Sequence, residues 1–106
     1  MLTFILKKEW FEKIKRGEKT VEYREIKPYW IKRINNEIGW GKINKVRHSD
    51  VDFGPCYIEH SCRFRRAYTD VYIDAYIKKI EIVSGINTDL KIDKLVYAIT
   101  FELLGD

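Results

Sequence analysis

A chain of 106 residues holds one domain and leaves no room for a second core. Hydrophobic residues at 45% and aromatics at 14% exclude a disordered chain, and charged residues at 34% are ordinary for a solvated surface. The formal net charge of +4 is uneven: residues 1–34 hold ten Lys/Arg against five Asp/Glu, and residues 35–106 hold ten against eleven. The positive excess therefore sits in the first third. A basic face with interleaved aromatics suits a polyanion, since phosphates take the charge and rings take stacked bases; a Lys-rich solvated surface is the plain alternative.

Leu2 to Leu6 is a short apolar run, most simply a buried strand. It is too short for the core of a signal peptide, and no stretch approaches a membrane span of roughly 20 residues, so a cytoplasmic chain with no membrane partner is expected. In that compartment Cys56 and Cys62 are expected as thiols. From Glu9 the period becomes helical: Trp10, Phe11 and Ile14 make one stripe, while Glu12, Lys13, Lys15 and Arg16 point away. Lys15 and Arg16 suit the last turn, and Gly17 follows as the stop.

Thr20 to Glu25 alternates with period two. Thr20, Glu22 and Arg24 share one face; Val21, Tyr23 and Glu25 share the other, where Tyr23 is expected in the core. Lys27-Pro28 breaks the strand, and Pro28 opens a second short helix with Tyr29, Trp30, Ile31 and Ile34 as its apolar side. Asn35-Asn36 and Gly39-Trp40-Gly41 read as turns. Ile43 to Arg47 is a weak strand, followed by a loop through Asp50, Asp52 and Gly54-Pro55. Cys56 to Phe64 is a better strand and Asp70 to Val83 the strongest. In the latter the apolar face switches between Ile77 and Ile80, which predicts a bulge or bend. Ser84-Gly85 and Asn87-Thr88-Asp89 form a turn before a final strand from Val96 to Leu104. Two early helices and several late strands predict an α+β fold around a small curled sheet.

The stretch from Leu6 to Phe11 and on through Gly17-Glu18-Lys19-Thr20-Val21-Glu22-Tyr23-Arg24 to Trp30 resembles the ASCH family, related to PUA domains. The family pattern Gly-x-Lys-x-x-Glu-x-Arg is met by Gly17, Lys19, Glu22 and Arg24, as in small bacterial and phage members. Arg63-Phe64-Arg65-Arg66-Ala67-Tyr68 is similar to a later Phe-Arg-x-x-Tyr strand of the family. Residues 1–106 then form one domain, with residues 35–62 as a family-variable insertion. The resemblance implies a PUA-like β-barrel flanked by two N-terminal helices, with RNA or a nucleotide, single-stranded or carrying a modified base, bound in a cleft beside the motif and no cofactor. Some members instead hydrolyse RNA or the amide of an acetylated cytidine. In that amidohydrolase branch the motif lysine is catalytic and a threonine stands two residues before the motif arginine. Here that position is Glu22, so the resemblance does not carry that reaction across.

The motif chemistry is readable on its own terms. Glu22 and Arg24 lie roughly 6.5–7 Å apart on one strand face and can pair. Arg24 can fork to a phosphate or base edge, Glu22 can accept from a base amino group, and Lys19 can reach a phosphate or carbonyl. If the domain is an enzyme, Lys19 and Glu22 are the catalytic candidates. Alternatively the group is an ion pair that plugs the barrel, in a domain that binds other proteins. Lys7, Lys8, Arg16, Lys27, Tyr29 and Trp30 are expected around the cleft. Trp30 stands equally as a stacking platform or as packing for its helix. Arg63 and Arg65 share a strand face and extend a phosphate track, or simply line a solvated edge. His48, Cys56, His60 and Cys62 fall within fifteen residues, but their spacing matches no common zinc signature. No metal is expected there, and the cysteines read as small buried apolar residues.

Overall fold

A computed structural model of the chain describes residues 1–38 and 56–104. The elements run β1 (Leu2–Leu6), α1 (Lys8–Lys15), β2 (Val21–Glu25), α2 (Pro28–Ile38), β3 (Cys56–Arg66), β4 (Tyr72–Ser84) and β5 (Leu95–Leu103). The strands form one sheet in the order β1-β3-β4-β5-β2. β1 lies parallel to β3, and the other neighbours are antiparallel. The expected α+β class with two early helices and a curled sheet is what the chain forms. The strand expected at Ile43 to Arg47, the loop through Asp50, Asp52, Gly54 and Pro55, and the turn at Gly39-Trp40-Gly41 lie outside the described residues.

α1 forms because Phe11 and Ile14 bury completely, with Trp10 packed half-buried beside them. It ends as expected at Gly17, which takes φ +79°, a conformation free of strain only without a Cβ. The Gly17 amide donates to the Ile14 carbonyl at 3.0 Å and the Glu18 amide to Lys13 at 2.9 Å, a Schellman closure that turns the chain into β2. α2 departs from expectation. Asn35 and Asn36 stay helical, because fully buried Ile34 anchors the helix and tertiary packing outweighs the weak helix preference of Asn. Its apolar side is narrower than expected at Ile31, which is 36% exposed; Trp30 packs on the core, and Tyr29, expected at the rim of the cleft, is 59% exposed.

β4 bends where the parity of its apolar residues changes. Ala75 and Ile77 are buried, then Ile80, and the pairing with β5 shifts between Ile77 and Lys79. A second shift lies between Tyr57 and His60 against the same strand. These irregularities curl the sheet around an aromatic core. Phe4 stacks on Phe64 at 5.5 Å and on Trp30 at 5.1 Å, while the Phe64 and Phe101 rings lie 4.4 Å apart across the intervening β4. The edge strands β1 and β2 approach one another as well. In a flat sheet they would be roughly 19 Å apart, four strand spacings. Here an Arg24 Nη2 on β2 donates to the Ile5 carbonyl on β1 at 3.2 Å, so one side chain spans the opening of a half-barrel.

Phe64 joins Phe4 to Phe101 within this aromatic run and is fully buried. Phe64→Ala is expected to lower stability by about 3–5 kcal/mol, and Gly17→Ala by about 1 kcal/mol, both read as reduced urea midpoints.

A candidate binding site at the sheet opening

The registry of β2 decides what enters the half-barrel. Glu22 pairs with Ile99 and Arg24 with Tyr97, and directly paired residues share a sheet face. Ile99 and Tyr97 belong to the core, so Glu22 and Arg24 turn inward with them. Two charged side chains thus occupy the end of a strand face that would otherwise be apolar. Glu22 is only 6% exposed and is the one buried charged residue among those described.

A buried carboxylate requires cationic or hydrogen-bonding partners. Glu22 has a cation on each oxygen: Lys19 Nζ lies 3.3 Å from Oε1, and Arg24 Nη2 donates to Oε2 at 2.7 Å. The Arg24 guanidinium sits 5.4 Å from the Phe4 ring centre and 5.1 Å from that of Trp30. Its Nε is shielded from solvent and has no hydrogen-bond partner among the described residues. Lys19 Nζ lies 5.5 Å from the Trp10 ring centre and 5.2 Å from that of Tyr23, and it also pairs with Asp89. The motif therefore folds into a charge chain, Asp89–Lys19–Glu22–Arg24, ending on the Ile5 carbonyl of β1.

This chain divides the expected single cleft. One concavity of about 330 Å³ opens between the sheet edges and is lined by Ile5, Lys7, Arg24, Lys27, Trp30 and Leu90, with Glu22, Tyr23 and Glu25. The other, about 270 Å³, holds Lys19 with Trp10, Lys13, Tyr23 and Asp89. The first lies at the lower end of small-ligand sites and the second just below it. The structure brings Lys7, Lys27 and Trp30 to Arg24 as expected, but Lys19 faces the neighbouring cleft. Tyr23 corrects the sequence reading: it is half-buried on the outward face of β2 and lines both concavities, because its partner across the ladder is Ala98, outside the core cluster.

The other sequence candidates lie elsewhere. Lys8 and Arg16 line an open groove along α1 with Lys7, Glu9, Glu12 and Lys13. Tyr29 packs edge-on against Trp30 at 5.0 Å but stays exposed. Arg63 and Arg65 are not in the cleft. Their partners on β1 are Thr3 and Ile5, which places them on the outward face of the sheet. There Arg63 forks onto Asp74 at 2.8 and 3.3 Å and stacks 3.7 Å over the Tyr72 ring. That acceptor holds the Arg63 guanidinium above its ordinary pKa.

Residues 85–94, which join β4 to β5, supply what sequence reasoning missed. Gly85 is the knot of this segment: its carbonyl accepts from the Thr88 and Ile92 amides, and its own amide donates to Lys94 at 2.8 Å. A Cβ at Gly85 would lie 2.8 Å from the Ile92 carbonyl oxygen, so only glycine fits without a shift. The segment is fastened to β2 by Lys94, whose Nζ lies 2.9 Å from Glu25 Oε1, while Lys27 takes Oε2 at 3.1 Å. These bonds, Lys94 first, hold the Glu25 carboxyl below the usual carboxylate range. Asp89 and Leu90 follow in the same segment and each lines one of the two concavities. No local period marks Asp89 as a site residue, since its partner is 70 positions away.

The metal and thiol candidates separate. His48 and the Cys56 side chain lie outside the described residues. His60 Nε2 lies 3.7 Å from Glu37 Oε2, and no metal-ligating cluster occurs among the described residues. Cys62 is a free thiol, fully buried in the core as expected, and burial pushes it up to about 12. No helix of the described residues is long and apolar enough to cross a membrane. Comparisons of the chain with family models, curated proteins and solved structures find no match.

Two outcomes follow from this geometry. Glu22→Ala leaves Arg24 without a carboxylate and is expected to cost about 2–4 kcal/mol in urea unfolding, more than the near-isosteric Glu22→Gln. Cys62 should resist iodoacetamide in the native state and react once unfolded. Because its folded pKa is raised, its protonated thiol favours the fold below pH 9.0, and that contribution fades as pH climbs toward about 12.

Proposed function

We propose that the chain is an RNA- or nucleotide-binding domain of the ASCH type, with a PUA-like half-barrel, and that the ligand enters between the edges of β1 and β2. One observation carries this reading: Lys7, Arg24 and Lys27 converge on a ligand-sized concavity whose walls include Trp30 and Tyr23. Cations for phosphate and rings for bases are the two components of sequence-tolerant nucleic-acid sites. Glu25 lies in the same wall and offsets part of the Lys27 charge, while Lys94 takes its other oxygen. The excess of positive charge in residues 1–34 acts in the same direction by steering a polyanion toward this face. The reading needs no metal or cofactor.

Hydrolysis of RNA or of a modified nucleoside in the same place is the second reading, favoured by the 3.3 Å approach of Lys19 to Glu22. Against it, each Glu22 oxygen already faces a cation and Lys19 is held by two carboxylates, an arrangement that fits positioning better than proton transfer. In the third reading the charge chain is purely structural and the domain binds protein.

Binding of short single-stranded RNA, measured by fluorescence anisotropy across a salt series, separates the three. Binding predicts affinity that falls linearly on logarithmic axes, with a slope of about 0.7 per phosphate contacted. Arg24→Gln and Lys27→Gln should each weaken affinity and flatten the slope, with the RNA intact throughout. Release of product that disappears in Lys19→Ala and Glu22→Gln would favour the hydrolase. Absence of any binding at low salt would leave only the structural reading.

A further inference from the structure

We propose that Asp89 is a specificity-determining residue of this site: its carboxylate holds the place on the Lys19 ammonium that an anionic ligand group would take. The inference rests on the reading that the sheet opening receives a phosphate-bearing ligand.

The Lys19 side chain is 9% exposed, and its ammonium is ringed by Glu22, Asp89, Trp10 and Tyr23. Glu22 is a fixed member of that ring, since it is buried and also bound to Arg24. Asp89 is different. Its side chain is 36% exposed, and it arrives from the β4–β5 connection rather than from β2 itself. A carboxylate bound to an ammonium is the nearest protein equivalent of a phosphate oxygen on the same group. While Asp89 is in place, a second anion would meet its negative charge and that of Glu22 before it met Lys19.

The neighbouring concavity is lined by Lys7, Arg24 and Lys27 together with Glu22 and Glu25, which pair with Arg24 and Lys27. Both of those carboxylates belong to β2; residues 85–94 add a carboxylate, Asp89, to the Lys19 concavity and only apolar Leu90 to the other. Lys19 is left to a ligand able to displace Asp89. The fastening of the segment is consistent with a defined closed position rather than a chance contact. The Gly85 knot sets its shape, and the Lys94–Glu25 pair ties it to the strand that carries Glu22 and follows Lys19.

Asp89→Asn keeps the shape and removes the charge, and Asp93→Asn, an exposed acid of the same segment, makes the same change in net charge away from Lys19. Two readouts are compared in wild type and both variants. One is the rate of Lys19 acetylation by an N-hydroxysuccinimide ester relative to Lys8, resolved by mass spectrometry, which needs no ligand. The other is the affinity for inorganic pyrophosphate and for short single-stranded RNA. Expected is a severalfold rise in relative Lys19 labelling and in affinity for both anions in Asp89→Asn, with Asp93→Asn near wild type. Equal gains in both variants would reduce the effect to net charge and overturn the proposal. Unchanged labelling would overturn it too, as would faster labelling with unchanged pyrophosphate affinity. If pyrophosphate affinity rises while RNA binds to none of the proteins, the proposal stands and the RNA reading fails.

Discussion

A half-barrel of five strands must do something with its open side, and here the solution is electrostatic. The ladder ends at β2 on one edge and β1 on the other, and the gap between them is bridged by the Arg24 guanidinium. That cation lies on the aromatic surface of Phe4 and Trp30, where a guanidinium is more at ease than an ammonium because it is flat and weakly hydrated. Its charge obliges a carboxylate nearby, which is Glu22, and Glu22 in turn engages Lys19. Each member of the chain makes the next one tolerable in a place where water is scarce. The site and the closure of the fold are therefore the same set of atoms.

This coupling explains why binding and structural roles are hard to separate by deletion alone. A residue that lines a ligand cleft and also spans the sheet opening will affect stability whenever it is removed. Substitutions that hold shape while changing charge are the informative ones. Substitutions at the periphery, at Lys7, Lys27 or Asp89, touch the lining of the two concavities without cutting the span between β1 and β2.

Much of this was legible from the residues. The bounds of β1, the stop at Gly17, the shared face of Glu22 and Arg24 and the bend between Ile77 and Ile80 all rest on local periodicity or on backbone preferences. What local rules could not deliver was distance in space between positions far apart in the chain. Arg24 reaches Ile5 only because two irregularities curl the sheet, and Asp89 reaches Lys19 only because of how residues 85–94 fold back. The errors have the same origin. Asn35 and Asn36 were read from intrinsic preference, whereas the buried Ile34 beside them decides the helix. The face opposite Glu22 and Arg24 reads as the core side, which would bury Tyr23, but the strand turns its charge inward and leaves the ring on the outer face.

The Arg24–Ile5 contact also has a bearing on how this chain behaves in company. An edge strand with unsatisfied carbonyls is a template on which another molecule's strand can dock, and β1 is short, apolar and at the margin of its sheet. By occupying the Ile5 carbonyl with a side chain that Trp30 and Phe4 hold in position, the fold blunts that margin from within. The guanidinium acts as a bolt across an edge that would otherwise recruit a neighbour, so the residue that spans the sheet opening also guards the chain against sticking to itself.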